Sequence, residues 1–370
     1  MARIVLFGAT GYTGRLIAER LAKGDVETVL AGRSPAALDA LAGELGGACE
    51  TAVVRLDKPR TLHMLLEPGD VLLTTVGPFI KVGDVALDAA IERGAHYVDT
   101  TGEAPFVRRV FESPAAQGAA GALIAAMGFN YAPGNLAGAL AVEHALGSPC
   151  GPVGALEIGY FLTGPGRGEL SKGTVASAAG VLMAPGFAWR GSELVTERCG
   201  ARTRAWSVAG RSVASMTLGS SEAITLPQAY PELDTVDVYQ GGLGAATPVV
   251  AQVGRLTAVP GAGRIVGALN RLVEYVSPSG PEAAARARAG THVVAIAYSR
   301  AGHVLSEVTL RGPSVYDVTA DLTAWAAQRA AGGEVHGRGP LGPVQAFGLD
   351  ELRAGHRAAG MVVDLEGAHR

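Results

Sequence analysis

The stretch FGATGYTG, residues 7–14, stands between an apolar run and a helical pattern. The run Ile4–Phe7 leads into it and the pattern Arg15–Ala22 follows it. Its glycines are evenly spaced, at Gly8, Gly11 and Gly14. In a strand–turn–helix unit the first glycine permits a sharp turn, the second lets the backbone approach a pyrophosphate, and the third lets the helix pack closely on the sheet. The stretch therefore predicts a dinucleotide-binding turn, and the alternative is a glycine-rich turn without a ligand.

The start of this helix is the expected phosphate site, because its N–H groups and its positive dipole end attract an anion. We expect cofactor contacts from six residues of the turn and the helix start, which are Gly8, Thr10, Gly11, Tyr12, Thr13 and Gly14.

The end of the second strand distinguishes NADP from NAD. It reads LAGRS, residues 30–34. An NAD site has an acidic residue at this place to bind the ribose hydroxyls. Arg33 stands there instead, and a guanidinium can bind a 2′-phosphate with paired donors. Ser34 can add a hydroxyl, so the stretch predicts NADP; the alternative is that Arg33 is a solvated surface residue.

Strand and helix signals alternate over the first 130 residues. Strands are predicted at Ile4–Phe7, Thr28–Ala31, Val53–Leu56, Val71–Val76, Tyr97–Val98 and Ala122–Met127. Ser34 and Pro35 are typical of a helix start, and the leucines of Ala36–Leu45 recur at helical spacing. Apolar strands that alternate with helices indicate a parallel sheet covered on both faces. The fold class predicted is α/β, a doubly wound Rossmann-type sheet.

The pattern changes after about residue 130. Alternating runs separated by glycine turns predict an antiparallel sheet, with strands at Leu156–Leu162, Ser207–Ala209, Ser215–Leu218, Val293–Tyr298 and Val304–Leu310. Helices are expected at Asn135–Leu146, Gly261–Val276, Pro281–Ala289, Thr319–Ala331 and Asp350–Ala359. The second part is therefore predicted to be an inserted α+β domain.

Composition narrows the function classes. The chain has 370 residues, 48% apolar and 18% charged, with a net charge of −3. These values predict two packed domains and argue against a nucleic-acid partner. No apolar stretch is long enough for a membrane span, and no signal peptide is recognised. Cys49, Cys150 and Cys199 have no C-x-x-C spacing, so we expect reduced thiols in a cytoplasmic protein. A small-molecule substrate is expected, and a monomer and a homodimer are both compatible with the sequence.

Several motifs together resemble the saccharopine dehydrogenase-like oxidoreductases, in particular the actinobacterial branch that contains trans-acting enoyl reductases. The motifs are GATGYTG (8–14), AGRS (31–34), TTVGPF (74–79), YVDTTGE (97–103), GF (128–129), SKGTVASA (171–178) and the ending GPLGPVQAFGLDELRAGHRAAGM (339–361). The resemblance covers nearly the whole chain and is densest in the first 135 residues. It is specific for fold and cofactor type and poor for substrate.

The resemblance implies an NADP-binding domain at 1–134, a substrate domain at 135–338, and a return of 339–370 to the first domain. The loop after the fourth strand would lie against the cofactor, as would one glycine after the fifth; these residues are Thr75, Val76, Gly77, Pro78, Phe79 and Gly102. The carboxyl ends of parallel strands independently predict a ligand there. Many members carry carboxylates where this chain has Asn130 and Asn135, and a serine where it has Tyr131. This departure predicts either a changed substrate or lost chemistry.

Hydride transfer is the work of the cofactor, so the protein has to orient the substrate and supply one proton. The candidates for the proton-transferring group are Tyr131, Lys172 and Asp99. Each has a plain structural alternative: a wall tyrosine, a solvated lysine and a turn-capping aspartate. The histidines have no metal-ligand spacing, so no metal is expected.

Three functions fit these features. The first is NADPH-dependent reduction of a C=C or C=N bond in a secondary metabolite or a lipid or polyketide precursor. The second is an amino-acid or imine dehydrogenase of the saccharopine dehydrogenase type. The third is a non-catalytic NADP-sensing protein on the same scaffold. The long second domain favours an enzyme, because a sensor has no need of a substrate pocket.

Overall fold

A computed structural model describes residues 2–47, 49–164, 186–241 and 280–367. The chain forms two compact units. The first comprises residues 1–102, 106–130 and 316–359, and the second comprises 103–105, 131–315 and 360–370. Lys172, the SKGTVASA stretch and the predicted helix Gly261–Val276 lie outside the described residues. Within the described residues, no helix is long and apolar enough to cross a bilayer.

The first unit is built on a parallel sheet of seven strands. These are β1 (Ile4–Phe7), β2 (Thr28–Gly32), β3 (Glu50–Val53), β4 (Val71–Thr74), β5 (His96–Asp99), β6 (Ala122–Ile124) and β15 (Gly339–Pro340). Their order is β15-β6-β5-β4-β1-β2-β3, and every pairing is parallel. This is the strand order of a doubly wound dinucleotide-binding sheet with one strand added at the β6 edge. The predicted fold class is confirmed.

Helices separate these strands along the chain. They are α1 (Tyr12–Leu21), α2 (Pro35–Glu44), α3 (Arg60–His63), α4 (Phe79–Arg93), α5 (Ala104–Glu112), α6 (Pro114–Gln117), α10 (Val315–Ala331), α11 (Pro343–Phe347) and α12 (Leu349–Ala358). Strands β1, β2 and β4 are buried at every position, as expected for a sheet covered on both faces. Arg20 of α1 forms ion pairs with Asp317 and Asp321 of α10, which joins the late helix to the first one.

The second unit contains a nine-stranded mixed sheet. Its strands are β7 (Val153–Thr163), β8 (Gly186–Arg190), β9 (Glu193–Glu197), β10 (Thr203–Val208), β11 (Arg211–Thr217), β12 (Thr235–Gly241), β13 (Gly290–Ser299), β14 (Val304–Gly312) and β16 (Val362–Gly367). The main order is β10-β11-β12-β7-β13-β14-β16, and the β8–β9 hairpin joins at β12. Strands β7 and β12 pair in parallel, while the other pairs are antiparallel. The chain can make this parallel pair because a long excursion separates the two strands.

The helices of the second unit are α7 (Ala132–Ala145), α8 (Glu222–Ala229) and α9 (Ala283–Arg286). Helix α7 begins three residues before the predicted Asn135, since Pro133 is well tolerated in a first helical turn. It approaches β7 closely at Gly138, where a Cβ would come within 2.9 Å of Leu156 and 3.1 Å of Ile158.

The boundaries of the units differ from the predicted ones. The first unit resumes at Tyr316, ahead of the predicted residue 339, so the predicted helix at Thr319–Ala331 belongs to it. The C-terminal end does not stay there, because β16 pairs with β14 of the second sheet. Asp350 does not cap the last helix: Gly348, with φ +75°, is the N-cap of α12, and Asp350 lies in its first turn.

Candidate functional site

The turn after β1 is held by close backbone contacts. Gly8 has φ +93°, donates its N–H to the Ala31 carbonyl at 2.9 Å, and accepts from the Gly11 N–H at 3.0 Å. A Cβ on Gly8 would lie 2.6 Å from Thr75 Oγ1. A Cβ on Gly14 would lie 2.9 Å from the Gly8 carbonyl carbon and collide with its oxygen. Gly8 is therefore required by its positive φ and by the loop after β4, and Gly14 by the packing of α1 on the turn.

The start of α1 has the form of an anion site. Its N-cap is Gly11, which provides no side-chain cap. The first N–H groups of a helix have no partners within the helix, so they are directed to whatever lies before it. Gly11 is exposed, and the nearest atom that a Cβ there would meet is the Gly8 carbonyl oxygen at 3.3 Å. Thr10, Tyr12 and Thr13 flank this position and are half-buried, so the turn fits a pyrophosphate.

The loop after β4 reaches the same turn. Thr75 Oγ1 donates to the Gly8 carbonyl at 3.2 Å, and Val76 lies beside Gly8. Gly77 is exposed, and Pro78 is the N-cap of α4. Phe79 differs from the other predicted cofactor contacts, because its ring is buried and packs against Phe106 at a centroid distance of 5.6 Å.

Arg33 follows β2 and is exposed. It forms no hydrogen bond or ion pair with any residue in the part of the chain that the structure describes, whereas Arg15 pairs with Glu44. Ser34 is the N-cap of α2 and accepts from the Ala37 N–H at 3.4 Å. The guanidinium of Arg33 can therefore bind a phosphate without breaking a protein contact.

Asp99 is the last residue of β5 rather than a residue of the following loop. Its Oδ1 accepts from the backbone N–H groups of Thr101 at 2.9 Å and Ala126 at 2.7 Å, and its Oδ2 accepts from the Tyr97 hydroxyl at 2.7 Å. Ala126 is held at φ +62°. The carboxylate thus joins the loops that follow β5 and β6. This geometry favours the turn-capping alternative, and the predicted part of Asp99 in proton transfer stays a prediction.

Gly102 lies in the loop after β5, close to the loop after β6. A Cβ on Gly102 would lie 2.6 Å from Asn130 Nδ2, so a larger residue would displace the Asn130 side chain.

Tyr131 is the N-cap of α7 and has an unusual backbone, with φ +98°. The Asn135 side chain stabilises it, since Nδ2 donates to the Tyr131 carbonyl at 2.9 Å. The Tyr131 side chain is 6% exposed, and its hydroxyl donates to the Gly219 carbonyl at 3.3 Å. Burial raises the pKa of the Tyr131 phenol well above its ordinary value, and Glu222 and Glu103 raise it further.

A buried acid beside Tyr131 escaped the sequence reasoning. Glu222 is fully buried, its Oε1 accepts from the Tyr160 hydroxyl at 2.6 Å, and its Oε2 lies 3.3 Å from Ser221 Oγ. Tyr160 in turn accepts from the Gly134 N–H at 2.8 Å. Burial raises the pKa of Glu222 to about 7, although the hydrogen bond from Tyr160 lowers it. The signal available in the sequence was a glutamate after two serines at the start of an apolar run. This pattern indicates a helix start, but it does not identify the hydrogen-bond partner of the carboxyl group.

The predicted residues are thus brought together in part. The turn after β1, the end of β2 and the loop after β4 form one cradle, which contains Gly8, Thr75 and Val76. Tyr131 belongs to a buried cluster of the second unit that also contains Glu222 and Tyr160. No group of His, Cys, Asp and Glu side chains within residues 2–47, 49–164, 186–241 and 280–367 could hold a metal ion.

Comparison with known proteins identifies the cofactor. Residues 4–122 match the family described as saccharopine dehydrogenase NADP binding domain. A Mycobacterium tuberculosis protein with the name of a trans-acting enoyl reductase is 36% identical over 186 residues, which are 48% of this chain and 44% of that protein. The trans-acting enoyl reductase of Mycobacterium ulcerans is 37% identical over 140 residues, 36% of this chain and 34% of its own. The chain therefore matches less than half the length of these curated relatives. The NADP prediction is confirmed.

One solved structure shares the fold over its full length. Saccharopine dehydrogenase (L-Glu forming) from Saccharomyces cerevisiae superposes with a TM-score of 0.63, covering 99% of this chain and 100% of that chain at 14% identity. This likeness shows the fold alone.

Replacing Gly14 by alanine should damage the cradle. The new Cβ would collide with the Gly8 carbonyl, so we expect a loss of about 1–3 kcal/mol in unfolding free energy and weaker NADPH binding. Gly43→Ala is the matched control, because Gly43 is also in a helix and its Cβ would meet nothing within 4 Å. That variant should gain up to about 1 kcal/mol. Urea unfolding measures the unfolding free energy of each variant, and fluorescence titration measures its affinity for NADPH. Equal stability and equal affinity in the two variants would contradict the packing argument.

Replacing Arg33 by alanine should reduce the preference for NADPH over NADH at least tenfold, about 1.4 kcal/mol, because a charge-assisted contact is lost. Arg60→Ala removes another exposed arginine that has no ion pair among the described residues, and it should leave the preference unchanged. Titration of each variant with both nucleotides gives the ratio. An unaltered ratio in Arg33→Ala would mean that the 2′-phosphate binds elsewhere.

Glu222 should make stability depend on pH. Folding raises its pKa from 4.5 to about 7, so the folded protein holds this proton more tightly than the unfolded chain does. Its contribution is complete below pH 4.5 and is lost as the pH rises through about 7, a change of about 3 kcal/mol. Urea unfolding at several pH values should show this fall, and Glu222→Gln should lack it. The same fall in the variant would assign it to another group.

Proposed function

We propose that this chain is an NADPH-dependent oxidoreductase that reduces the C=C bond of an enoyl-type small molecule. Its residues 4–122 match the family described as saccharopine dehydrogenase NADP binding domain. Its substrate class would be a precursor of a lipid, a polyketide or another secondary metabolite. The observation that carries the proposal is the glycine cradle together with Arg33, whose guanidinium has no partner among the described residues. The names of the mycobacterial relatives support the choice of an enoyl bond.

Each part of the cradle has a task in this proposal. The backbone at Gly11 and the first turn of α1 bind the pyrophosphate, and Arg33 binds the 2′-phosphate. Thr75 and Val76 hold the turn in position from the adjacent strand end. Bound NADPH supplies the hydride. The remaining requirement of the reaction is one proton for the carbon next to the acyl group.

Tyr131 is the group that we assign to donate this proton. The chain passes from the first unit to the second at three places, and the first two lie between Gly102 and Glu103 and between Asn130 and Tyr131. Both follow the carboxyl ends of neighbouring strands, β5 and β6, where doubly wound sheets bind their ligands. Tyr131 is also held in a sparsely populated backbone conformation, with φ +98°, a feature that recurs at active sites. Lys172 is the second predicted proton donor, and its variant is measured together with that of Tyr131.

The cytoplasm is the proposed location, since free thiols at Cys49, Cys150 and Cys199 suit a reducing compartment. Sizing chromatography would distinguish a monomer from a homodimer.

Consumption of NADPH tests the function. With an α,β-unsaturated acyl thioester we expect loss of NADPH absorbance and formation of the saturated thioester, identified by mass spectrometry. A 2-oxo acid with an amine is the parallel assay for an imine dehydrogenase. Consumption of NADPH only with the 2-oxo acid and amine would overturn the proposal. Tight binding of NADPH without its consumption in either assay would overturn it as well.

Tyr131→Phe should lower turnover about a hundredfold and leave the affinity for NADPH unchanged, because one general acid is removed. Tyr230→Phe is the matched control, a buried tyrosine of the same unit whose hydroxyl donates to Glu143. Lys172→Met is measured in the same series. Full turnover in Tyr131→Phe together with reduced turnover in Lys172→Met would transfer the role to the lysine.

A further inference from the structure

The cluster around Glu222 has a feature that packing alone does not require. Glu222 is fully buried and forms no ion pair with any described residue. A buried carboxyl without a cation is costly as an anion and is held most easily with its proton on. The titratable groups that face it and Tyr131 are Tyr160 on β7, Tyr131 at the start of α7, Glu103 before α5, and Cys199.

The hydrogen bonds direct the proton of Glu222 to one oxygen. Tyr160 has a single hydroxyl proton, and its oxygen already accepts from the Gly134 N–H, so the proton is donated to Glu222 Oε1. Oε1 therefore acts as the acceptor, and the acid proton resides on Oε2 beside Ser221 Oγ. Ser221 Oγ accepts from Asn135 Nδ2 at 3.0 Å. Its own proton can turn toward Oε2 when Glu222 is ionised, and its oxygen can accept when Glu222 is protonated.

Helix α7 also approaches the hydrogen-bonded pair of Glu222 and Tyr160 so closely that no side chain fits at Gly134. A Cβ on Gly134 would lie 2.7 Å from the Tyr160 ring carbon that carries the hydroxyl, and it would collide with the Tyr160 and Glu222 oxygens. The start of α7 thus carries Tyr131 at its N-cap and, three residues later, the backbone N–H that orients Tyr160. Tyr131 and the Glu222–Tyr160 pair are fixed by the same helical turn.

We propose that Glu222 is the proton store of this enzyme, oriented by Tyr160 and Ser221, and that it restores the proton of Tyr131 after each turnover. This inference rests on the proposed reductase function. In the chemical step, hydride reaches the β-carbon of the enoyl group and the Tyr131 O–H bond breaks, with the proton passing to the α-carbon. The phenolate oxygen keeps the electron pair. It then takes the proton from Glu222 Oε2, and solvent reprotonates the remaining carboxylate.

The energetics favour this direction. The surroundings raise the pKa of the Tyr131 phenol far above that of Glu222, so transfer from the carboxyl to the phenolate is strongly downhill. The Tyr131 side chain is only 6% exposed, so its hydroxyl has little direct access to solvent water, whereas a protonated carboxyl in the same buried cluster can return the proton. Glu222 acts through Tyr131 and is therefore a positioning and proton-supplying residue that does not touch the substrate.

The test combines three variants of the full chain with two measurements. Glu222→Gln copies the protonated acid, since its amide can accept from Tyr160 and donate to Ser221, so the fold should persist without the titration. Tyr160→Phe removes a hydrogen bond that lowers the pKa of Glu222. Glu143→Gln is the matched control, a glutamate of the same unit that also accepts from a tyrosine, Tyr230, but is exposed.

The first measurement is infrared difference spectroscopy of the carboxyl groups without substrate. The unmodified protein should show a protonated carboxyl band that disappears as the pH rises through about 7. Glu222→Gln should lack the band, Tyr160→Phe should shift its loss to higher pH, and Glu143→Gln should retain it. A band unaffected by Glu222→Gln would overturn the proposal whatever the activity.

The second measurement is the pH profile of kcat with NADPH and an α,β-unsaturated acyl thioester. In the unmodified protein kcat should fall above about pH 7, and in Glu222→Gln it should be at least tenfold lower and independent of pH over that range. Tyr160→Phe should move the fall to higher pH, and NADPH affinity should be unchanged throughout. An active protein whose profile is the same in Glu222→Gln would overturn the proton store and leave the reductase standing. No thioester reduction by the unmodified protein would overturn both.

Discussion

The contact between the backbone of α1 and that of the turn after β1 is the constraint on which the first unit depends. No side-chain carbon fits between Gly14 and the Gly8 carbonyl, so the helix start and the turn form one rigid piece. Gly8 also connects the neighbouring strand ends: it donates to Ala31 at the end of β2 and accepts from Thr75 after β4. Arg33, two residues beyond Ala31, and Val76, one beyond Thr75, are thereby placed around the same turn. The anion site at the start of α1 and the guanidinium that suits a 2′-phosphate follow from a single close approach of two backbones.

The second unit has a different constraint, because it buries the carboxyl group of Glu222. The parallel sheet holds its own buried acid, Asp99, with two backbone N–H groups and a tyrosine hydroxyl, and uses it to join two loops. Glu222 receives hydrogen bonds from tyrosine and serine hydroxyls and from its own backbone, and burial outweighs their effect, so its pKa rises to about 7. The two buried carboxyls thus have different surroundings: Asp99 accepts from two backbone N–H groups of strand-end loops, and Glu222 lies beside the hydroxyls of Tyr160 and Ser221.

Local signals explain why the first unit was predictable. The apolar runs of β1, β2 and β4, the glycines of the turn, and the Ser34-Pro35 helix start all act within a few residues, and the structure agrees with them. The return of the chain at Tyr316 rests on ion pairs between Arg20 and residues about 300 positions later, which no local pattern contains. The parallel pairing of β7 with β12 also joins residues that are distant in sequence, and so does the hydrogen bond from Tyr160 to Glu222, which are 62 residues apart. No local pattern contains either contact. Asp99 was named from the sequence as a candidate proton-transferring or turn-capping residue, but its hydrogen-bond partners were not predicted, because they depend on the turn geometry of Thr101 and Ala126.

The hydrogen bonds of Asn135 are needed to interpret its departure from the family pattern. Its Nδ2 donates to the Tyr131 carbonyl and to Ser221 Oγ, and its Oδ1 lies 2.5 Å from Thr225 Oγ1. The Tyr131 carbonyl can only accept, so the amide orientation is dictated and a donor is needed at this position. A carboxylate there would turn a lone pair toward that carbonyl and add a second buried acid beside Glu222, which is unfavourable unless it too is protonated. The amide provides the donors without a charge. It stabilises the strained backbone conformation of Tyr131 through the Tyr131 carbonyl and adds no charge beside Glu222.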